Sequence, residues 1–395
     1  MNYYEGLPFF LLLIPILGIA VILGVLEKPL RLYGLIASLA VAACVFLSKG
    51  GLSGRDSLFQ IWNAYSEALY FPGFILWSMG LLFFYLHLRA ARGRNGPLFH
   101  VFCLLALLPL AACKISAVFH LGIFAFTGIS YLTFRVLQII IEAYDGVIKE
   151  LDPLETTAFL LFFPSLSSGP IDRSRRFHTD WERRLSRADY LELAAKGIWQ
   201  LLLGAVYKMV LAAGAYKLVG YLDTGESWYH YLAYAYAYGL YLFFDFAGYS
   251  LMATGSGRLL GVELPDNFRM PFLSCDIREF WDRWHISLSH WFRDFIFTRF
   301  IMAGTRKKWF GSRLNRACAG FFVNMGIMGI WHGITPAYIL YGLYHGTLLA
   351  ATEVYQKKSG FHKKHKDKTA YRLASWFITM QLVMFGFLIF SGKRI

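Results

Sequence analysis

Stretches without a single Asp, Glu, Lys or Arg dominate the chain: 6–26, 32–48, 68–88, 95–113, 115–134, 227–244, 317–352 and 373–392. Most reach the ~20 residues that an α-helix needs to cross ~30 Å of hydrocarbon. Further apolar stretches carry or adjoin isolated charges, among them 135–143, 156–166 after Glu155, and the run around Lys208 and Lys217. The runs have helix length and lack the ~10-residue alternation of an outer-membrane barrel. The pattern predicts an all-α polytopic membrane protein with roughly 10–12 embedded helices, some tilted or re-entrant.

No hydrophilic stretch is long enough to fold by itself, so the reading is one integral-membrane domain over 1–395. Within it, 7–145 reads as a helical scaffold, 146–350 as the core that carries chemistry, and 351–395 as a basic loop with a C-terminal helix. Pro15, Pro72 and Pro109 are expected to kink scaffold helices, and Lys114 to snorkel or mark a helix end. The first apolar run lacks a basic leader and a small-residue cleavage site, and reads as a retained helix. The segment "FFPSLSSGPIDRSRRF", 162–177, is too short to span and too rich in breakers for a simple helix. It reads either as a re-entrant loop or as a helix end with its loop.

Composition agrees with the pattern. The 395 residues are 57% apolar and 16% charged, whereas soluble domains carry about 25% charge. The net charge of +14 is of a size that nucleic-acid binders carry, but Arg and Lys cluster in loops: Arg89 to Arg94, Arg173 to Arg187, Arg306 to Arg316 and Lys357 to Lys368. The positive-inside rule explains such loops as cytoplasmic, with an acidic partner or anionic headgroups as a second use. The clusters at 357–368 and at Lys393-Arg394 flank one span and cannot both be cytoplasmic if it crosses fully. The five cysteines form no close pair and have no metal-ligand spacing, so neither a disulfide framework nor a metal site is expected.

Chemistry concentrates in the last third. Wound as one helix at about 100° per residue, "REFWDRWHISLSHWFRDFIFTRF", 278–300, puts Glu279, Asp282, Arg283, Ser287, Ser289, His290, Arg293 and Asp294 on one arc. Phe280, Trp281, Trp284, Leu288, Trp291, Phe292 and Phe295 fall on the other. His290 sits among the polar residues and reads as an ordinary member of that face. His285 sits at the margin, placed to look into a protein-lined cavity.

The charge-free block 317–352 nonetheless holds His332 and His345, and ionisable groups within a span are functional candidates. Gly326, Gly329 and Gly333 would let a backbone or a narrow substrate approach His332, with Trp331 as a wall and Asn324 two turns upstream. Tyr341 and Tyr344 offer hydrogen bonds to His345. A histidine in apolar surroundings tends to stay neutral, the form a general base needs. Asp245, flanked by "LFF" and "FAGY", is expected to need a partner at that depth and has a structural reading beside the catalytic one. No serine elbow is legible, and "GSGRLLG" follows a membrane helix, not a strand, which discounts dinucleotide binding.

The blocks "FFDFAGYSLMATGSGRLLGVELPDNFRMPF", "DIREFWDRWHISLSHWFRDFIF" and "GIWHG", with "FFPSLSSGPIDR" upstream, resemble the membrane-bound O-acyltransferase (MBOAT) family over roughly 130–346. "GISYLTFRVLQIIIE", "SSGPIDRSRRF" and Leu251, where alginate-type acetyltransferases read "GYSDMA", resemble the branch that D-alanylates teichoic acid. The resemblance implies a ring of tilted and re-entrant helices around a thin centre. It also implies a catalytic His332, with His285 lining the donor path, and Asp245, Asn324, Trp331 and Ser289 in supporting positions.

The implied donor is D-alanine on the phosphopantetheine arm of a small acidic carrier protein, DltC, so that no cofactor is permanently bound. Phe300, Ile301, Met302 and Arg306 are candidates for its docking. Lipoteichoic acid is the implied acceptor, DltD and DltX the implied partners, and the bacterial plasma membrane the implied location. Two other readings stand: an O-acetyltransferase for an exported polysaccharide, and a transporter in which His332 and Asp245 line a path. The transporter reading lacks an evident inverted repeat.

Overall fold

The computed structural model describes residues 2–48, 58–119 and 125–393, except for the side chains of 58–65. Residues 120–124 of the run 115–134, and Arg394 of the C-terminal basic pair, lie outside the described residues. Five helices among the described residues are long and apolar enough to cross a membrane: Gly6–Val25, Ser66–Arg92, Gly96–Val118, Arg187–Leu222 and Thr369–Ser391. The backbone divides into two compact units, Met1–Gly204 with Tyr249–Pro265, and Ala205–Gly248 with Asp266–Ile395. Both draw residues from the stretch 146–350.

The first unit holds α1 (Gly6–Val25), α2 (Arg31–Leu47), α3 (Leu58–Arg92), α4 (Gly96–Val118), α5 (Ile129–Tyr144), α6 (Pro153–Leu161), α7 (Ser174–Glu182) and α8 (Arg187–Ala205). Local signals set several starts: Asn95 accepts from the Leu98 amide and Asp152 from the Glu155 amide, each with Pro in the first turn. Nearly all of α5 is buried, although it carries Arg135, Gln138 and Glu142.

Arg135 explains what the segment after α6 is. Its guanidinium donates to the carbonyls of Phe159 (2.6 Å), Leu160 (2.9 Å) and Ser165 (2.6 Å) and to Ser165 Oγ (2.7 Å). These carbonyls end α6 and enter a short 3₁₀ turn, Phe163–Ser165, beyond which the chain is irregular yet buried through Asp172 except at Ser168. Non-helical backbone at membrane depth is tolerated only where protein satisfies it. Here Arg135 does so, with Ser38 Oγ accepting from the Phe163 amide (3.2 Å) and Gln138 donating to the Asp172 carbonyl (2.9 Å). The structure therefore resolves 162–177 as a helix end followed by a buried, side-chain-braced loop and then α7.

Beyond α8 the helix continues through a π-helical stretch, Val206–Ala212, into α9 (Ala213–Leu222). It is followed by α10 (Trp228–Leu259). Near its C-terminal end α10 meets α8 through glycines: a Cβ on Gly255 would stand 2.6 Å from the Gly197 carbonyl oxygen. Gly255 of "GSGRLLG" thus serves helix packing, while Gly257 faces the Val262 carbonyl and Gly261 turns the chain at φ 80°.

The second unit contains α11 (Ile277–Arg283), α12 (Ile286–Phe292), α13 (Thr298–Arg306), α14 (Arg313–His332), α15 (Pro336–Lys358), α16 (Gly360–His365) and α17 (Thr369–Ser391). The expected single helix over 278–300 is not one helix. It stops at Trp284, turns at His285 in the left-handed region (φ 46°), resumes as α12, and passes through a π-helical stretch, Arg293–Phe297, into α13.

Pairing with an upstream segment causes the break. Phe268 bridges Trp284, the Arg269 amide donates to the Arg283 carbonyl (3.0 Å), and the Ile286 amide donates to the Asn267 carbonyl (2.9 Å). Backbone groups that would continue the helix are committed to residues 267–269. All seven residues of the predicted apolar arc are nevertheless buried.

Candidate functional site

The site is built in the second unit, on the turn at His285 and the hairpin of α14 and α15. A left-handed conformation costs a residue with a Cβ roughly 1–2 kcal/mol. His285 is held in it by the bridge to residues 267–269 and by Ser287 Oγ, which donates to Asn267 Oδ1 at 2.6 Å. The imidazole is 4% exposed, and the Phe246 ring stands edge-on to it at 4.6 Å. Its Nε2 has no hydrogen-bond partner among the described residues.

His285 belongs to none of the five spanning helices. Burial, and after it the neighbouring His332, hold its pKa well below the usual histidine range, so the ring stays neutral. His332, 47 positions away in sequence, thus lies within electrostatic reach of His285.

His332 ends α14 and is half-buried, with the Phe390 ring edge-on at 5.0 Å and the Trp331 ring at 4.6 Å. The glycines before His332 divide their work. Gly329 meets Gly342 and the Tyr338 carbonyl of α15, where an added Cβ would stand 2.5 Å from that oxygen, and Gly333 faces the Tyr338 ring. Gly326 faces open space, so the expected three-glycine seam reduces to two, and its partner is α15.

A cavity of about 440 Å³ opens in the same unit, lined by neither His285 nor His332 itself but by residues of the helices that carry them. Ser289, Asn324 and Ile301 line it together with Trp281 and Met328. Ser289 and Met328 stand four residues, about one helical turn, after His285 and before His332. Asn324 is buried and its Oδ1 has no hydrogen-bond partner among the described residues, an acceptor suited to an N–H of a bound group. Among the charged residues of a mainly apolar lining, Arg278, Arg293, Arg313 and Lys357 outnumber Asp282 and Glu353, with Arg278 and Lys357 both paired to Glu353.

Other expectations divide. Asp245 is paired with Lys208 Nζ at 2.5 Å, which favours its structural reading. His345 is 1% exposed and accepts a hydrogen bond from Trp281 Nε1; the tyrosines beside it supply ring contacts, and Tyr344 OH donates to the Leu382 carbonyl. His290 is half-buried on the cavity wall.

Phe300, Ile301 and Met302 do not form one patch, because successive helical residues project about 100° apart. Phe300 packs on Trp309 and Phe310, Ile301 enters the cavity, and Met302 is 66% exposed. Arg306 is exposed at the end of α13. Two residues escaped the sequence reading: Trp281, taken only as apolar surface, and Arg135, seen only as an isolated charge. A tryptophan beside charged residues, and an arginine within an apolar helix, were the available signals.

Comparison with known proteins agrees with this geometry. The model of the membrane-bound O-acyltransferase family matches residues 97–390, further on both sides than the 130–346 read from motifs. A teichoic acid D-alanyltransferase of Bacillus subtilis (strain 168) is 37% identical over 409 aligned positions, covering 100% of this chain and 98% of the relative. One from Lacticaseibacillus rhamnosus is 40% identical over 341, covering 81% and 83%. A probable alginate O-acetylase, AlgI, of Pseudomonas aeruginosa is 32% identical over 275, covering 68% of this chain and 49% of the relative.

Proposed function

The chain belongs to the membrane-bound O-acyltransferase family and is a multi-pass membrane acyltransferase; we propose that it moves D-alanine from a carrier-protein thioester toward teichoic acid. The match to a teichoic acid D-alanyltransferase along the whole chain carries this reading. The acetyl alternative has weaker support, since the AlgI relatives cover only 68% of the chain and Leu251 stands where their type has an acid.

In the proposed reaction the phosphopantetheine arm of DltC enters the cavity beside Ser289 and Asn324, with Asn324 Oδ1 accepting from an amide of the arm. The basic residues of the lining suit the phosphate of the arm. The thioester carbonyl comes to rest at His285. His332 takes the proton of the acceptor hydroxyl as its oxygen attacks that carbonyl. A C–O bond forms, the C–S bond breaks, and the departing thiolate recovers the proton from the imidazolium. A base in this role contributes typically about 10²- to 10⁴-fold, and positioning in a dry cavity lowers more of the barrier.

The acceptor is lipoteichoic acid, reached directly or through DltD, with DltX as a further partner in the bacterial plasma membrane. The exposed Met302, Trp309 and Phe310, beside Arg306, Lys307 and Lys308, suit an acidic carrier that presents apolar residues. They revise the docking patch expected at 300–302.

The test is to supply membranes with alanyl-loaded carrier or with acetyl-CoA and to weigh the acceptor. Alanyl incorporation that falls at least ~10²-fold in His332→Ala, with folding and carrier binding intact, supports the reading. Acetyl incorporation, or an unimpaired His332→Ala, overturns it.

A further inference from the structure

Away from the histidines, a groove of about 970 Å³ runs between α15 and α17 and is closed at one end by α16. Its character changes along its length. One end carries Lys366, Lys368 and Arg372, with His365 beside them; the other is walled by Leu348, Ile378 and Leu382. The two acids on its lining are already engaged: Asp276 accepts from Gln356 Nε2 (2.9 Å), and Glu279 from Arg283 Nη2 (2.6 Å). Lys366, Lys368 and Arg372 are exposed and enter no ion pair among the described residues.

The rim is built rather than incidental. Tyr371 OH lies 2.9 Å from His362 Nδ1 and donates to Tyr355 OH at 3.3 Å, a polar rung joining α15, α16 and α17. Trp376, near the start of α17, is fixed by its indole donating to the Phe272 carbonyl at 2.8 Å. Tyr and Trp at this level mark the headgroup zone of a bilayer. Phe361, 61% exposed on the basic turn α16, points an apolar ring out of a cationic segment, as interfacial helices do.

We propose that this groove binds one anionic glycerophospholipid, its phosphate held by Lys366, Lys368 and Arg372 and one acyl chain lying along Leu348, Ile378 and Leu382. Charge and depth both select that occupant. At ~1.5 Å per residue, Leu382 lies about 20 Å along α17 from Lys368, comparable with the ~15 Å of one leaflet's hydrocarbon. A water-soluble acidic protein cannot follow the groove to that depth, and free phosphate has no use for its apolar wall. Basic pockets between spans are an established way to hold acidic headgroups.

The experiment uses the full chain purified in neutral detergent, with lipid retention read by native mass spectrometry and stability by thermal denaturation. The probes are phosphatidylglycerol, phosphatidylcholine, inorganic phosphate and an acidic carrier protein. Phosphatidylglycerol is expected to bind preferentially and to raise Tm more than phosphatidylcholine. Its affinity should fall roughly fivefold for each cation lost in Lys366→Gln, Lys368→Gln and Arg372→Gln, and should also fall in Ile378→Ser. Equal binding of the two lipids overturns the proposal, as does an equal Tm rise with phosphate or with the carrier. A phosphatidylglycerol affinity unchanged in Ile378→Ser does so too, because it would reduce the effect to surface adsorption.

Discussion

The Trp281 indole donates to His345 Nδ1 across 3.3 Å, with both side chains buried. An imidazole that accepts at Nδ1 carries its proton on Nε2 when neutral, and that nitrogen faces Gly386, where an added Cβ would stand 2.6 Å away. His345 is thereby a core histidine that fixes Trp281, a wall of the cavity that Ser289 and Asn324 also line. Trp281→Phe leaves a buried acceptor unmet and should cost about 1–3 kcal/mol, measured as a fall in Tm. An unchanged Tm would remove His345 from this role.

Arg135 should be among the least replaceable residues of the first unit. Arg135→Ala strands the carbonyls of Phe159, Leu160 and Ser165, each unmet group costing about 1–3 kcal/mol. The expected result is a protein that inserts but aggregates on extraction, with proteolysis opening first near 162–172. A variant as stable as the parent would contradict the bracing role.

At the hairpin behind His332, Gly329→Ala places a methyl group 2.5 Å from the Tyr338 carbonyl oxygen. Overpacking of this kind costs typically about 1–3 kcal/mol. Gly326→Ala faces open space and should leave Tm unchanged, so thermal denaturation of the two variants side by side reads the asymmetry.

Lys208 and Asp245 can be separated from catalysis by a double-mutant cycle. Lys208→Met or Asp245→Asn alone leaves a partner stranded. Such loss costs about 3–5 kcal/mol for a fully buried pair; the partial exposure of Asp245 reduces this to the order of 1–2 kcal/mol. The double variant should recover part of the loss. An Asp245→Asn protein with normal Tm but no transfer activity would instead make the acid catalytic.

Near α7, His178 Nδ1 meets Glu155 Oε2 at 2.9 Å, and that hydrogen bond raises the histidine pKa above its usual value. Its contribution is complete below the ordinary value of about 6.5 and is lost as pH rises through the raised one. Protection of α7 amides from exchange, corrected for intrinsic rates, should therefore weaken between mildly acid and mildly alkaline pH in the parent. It should stay flat in His178→Asn.

The two faces of the 278–300 stretch were legible because burial follows side-chain chemistry. Its continuity as a helix was not, since the break at His285 comes from pairing with residues 267–269, and nothing local distinguishes a histidine about to turn from one inside a helix. Likewise "FFPSLSSGPIDR" announced irregular backbone through its breakers, but Arg135, which braces it, lies upstream on another helix. The docking residues at 300–302 were read as neighbours in sequence, and helical geometry sends them in three directions.

Hydropathy along the chain was enough to place this protein in a membrane, to make it helical, and to single out histidines within apolar surroundings as candidates for its chemistry. Hydropathy, period and the cost of burying ionisable groups act locally and leave their mark in composition. Only the tertiary structure decided which of those groups meet. It put His332 within electrostatic reach of His285, tied His345 to Trp281, gave Asp245 to Lys208, and spent Gly329 on α15 while leaving Gly326 open. Partner choice depends on contacts between distant segments, and a buried polar group reveals that it needs a partner without revealing which one it has.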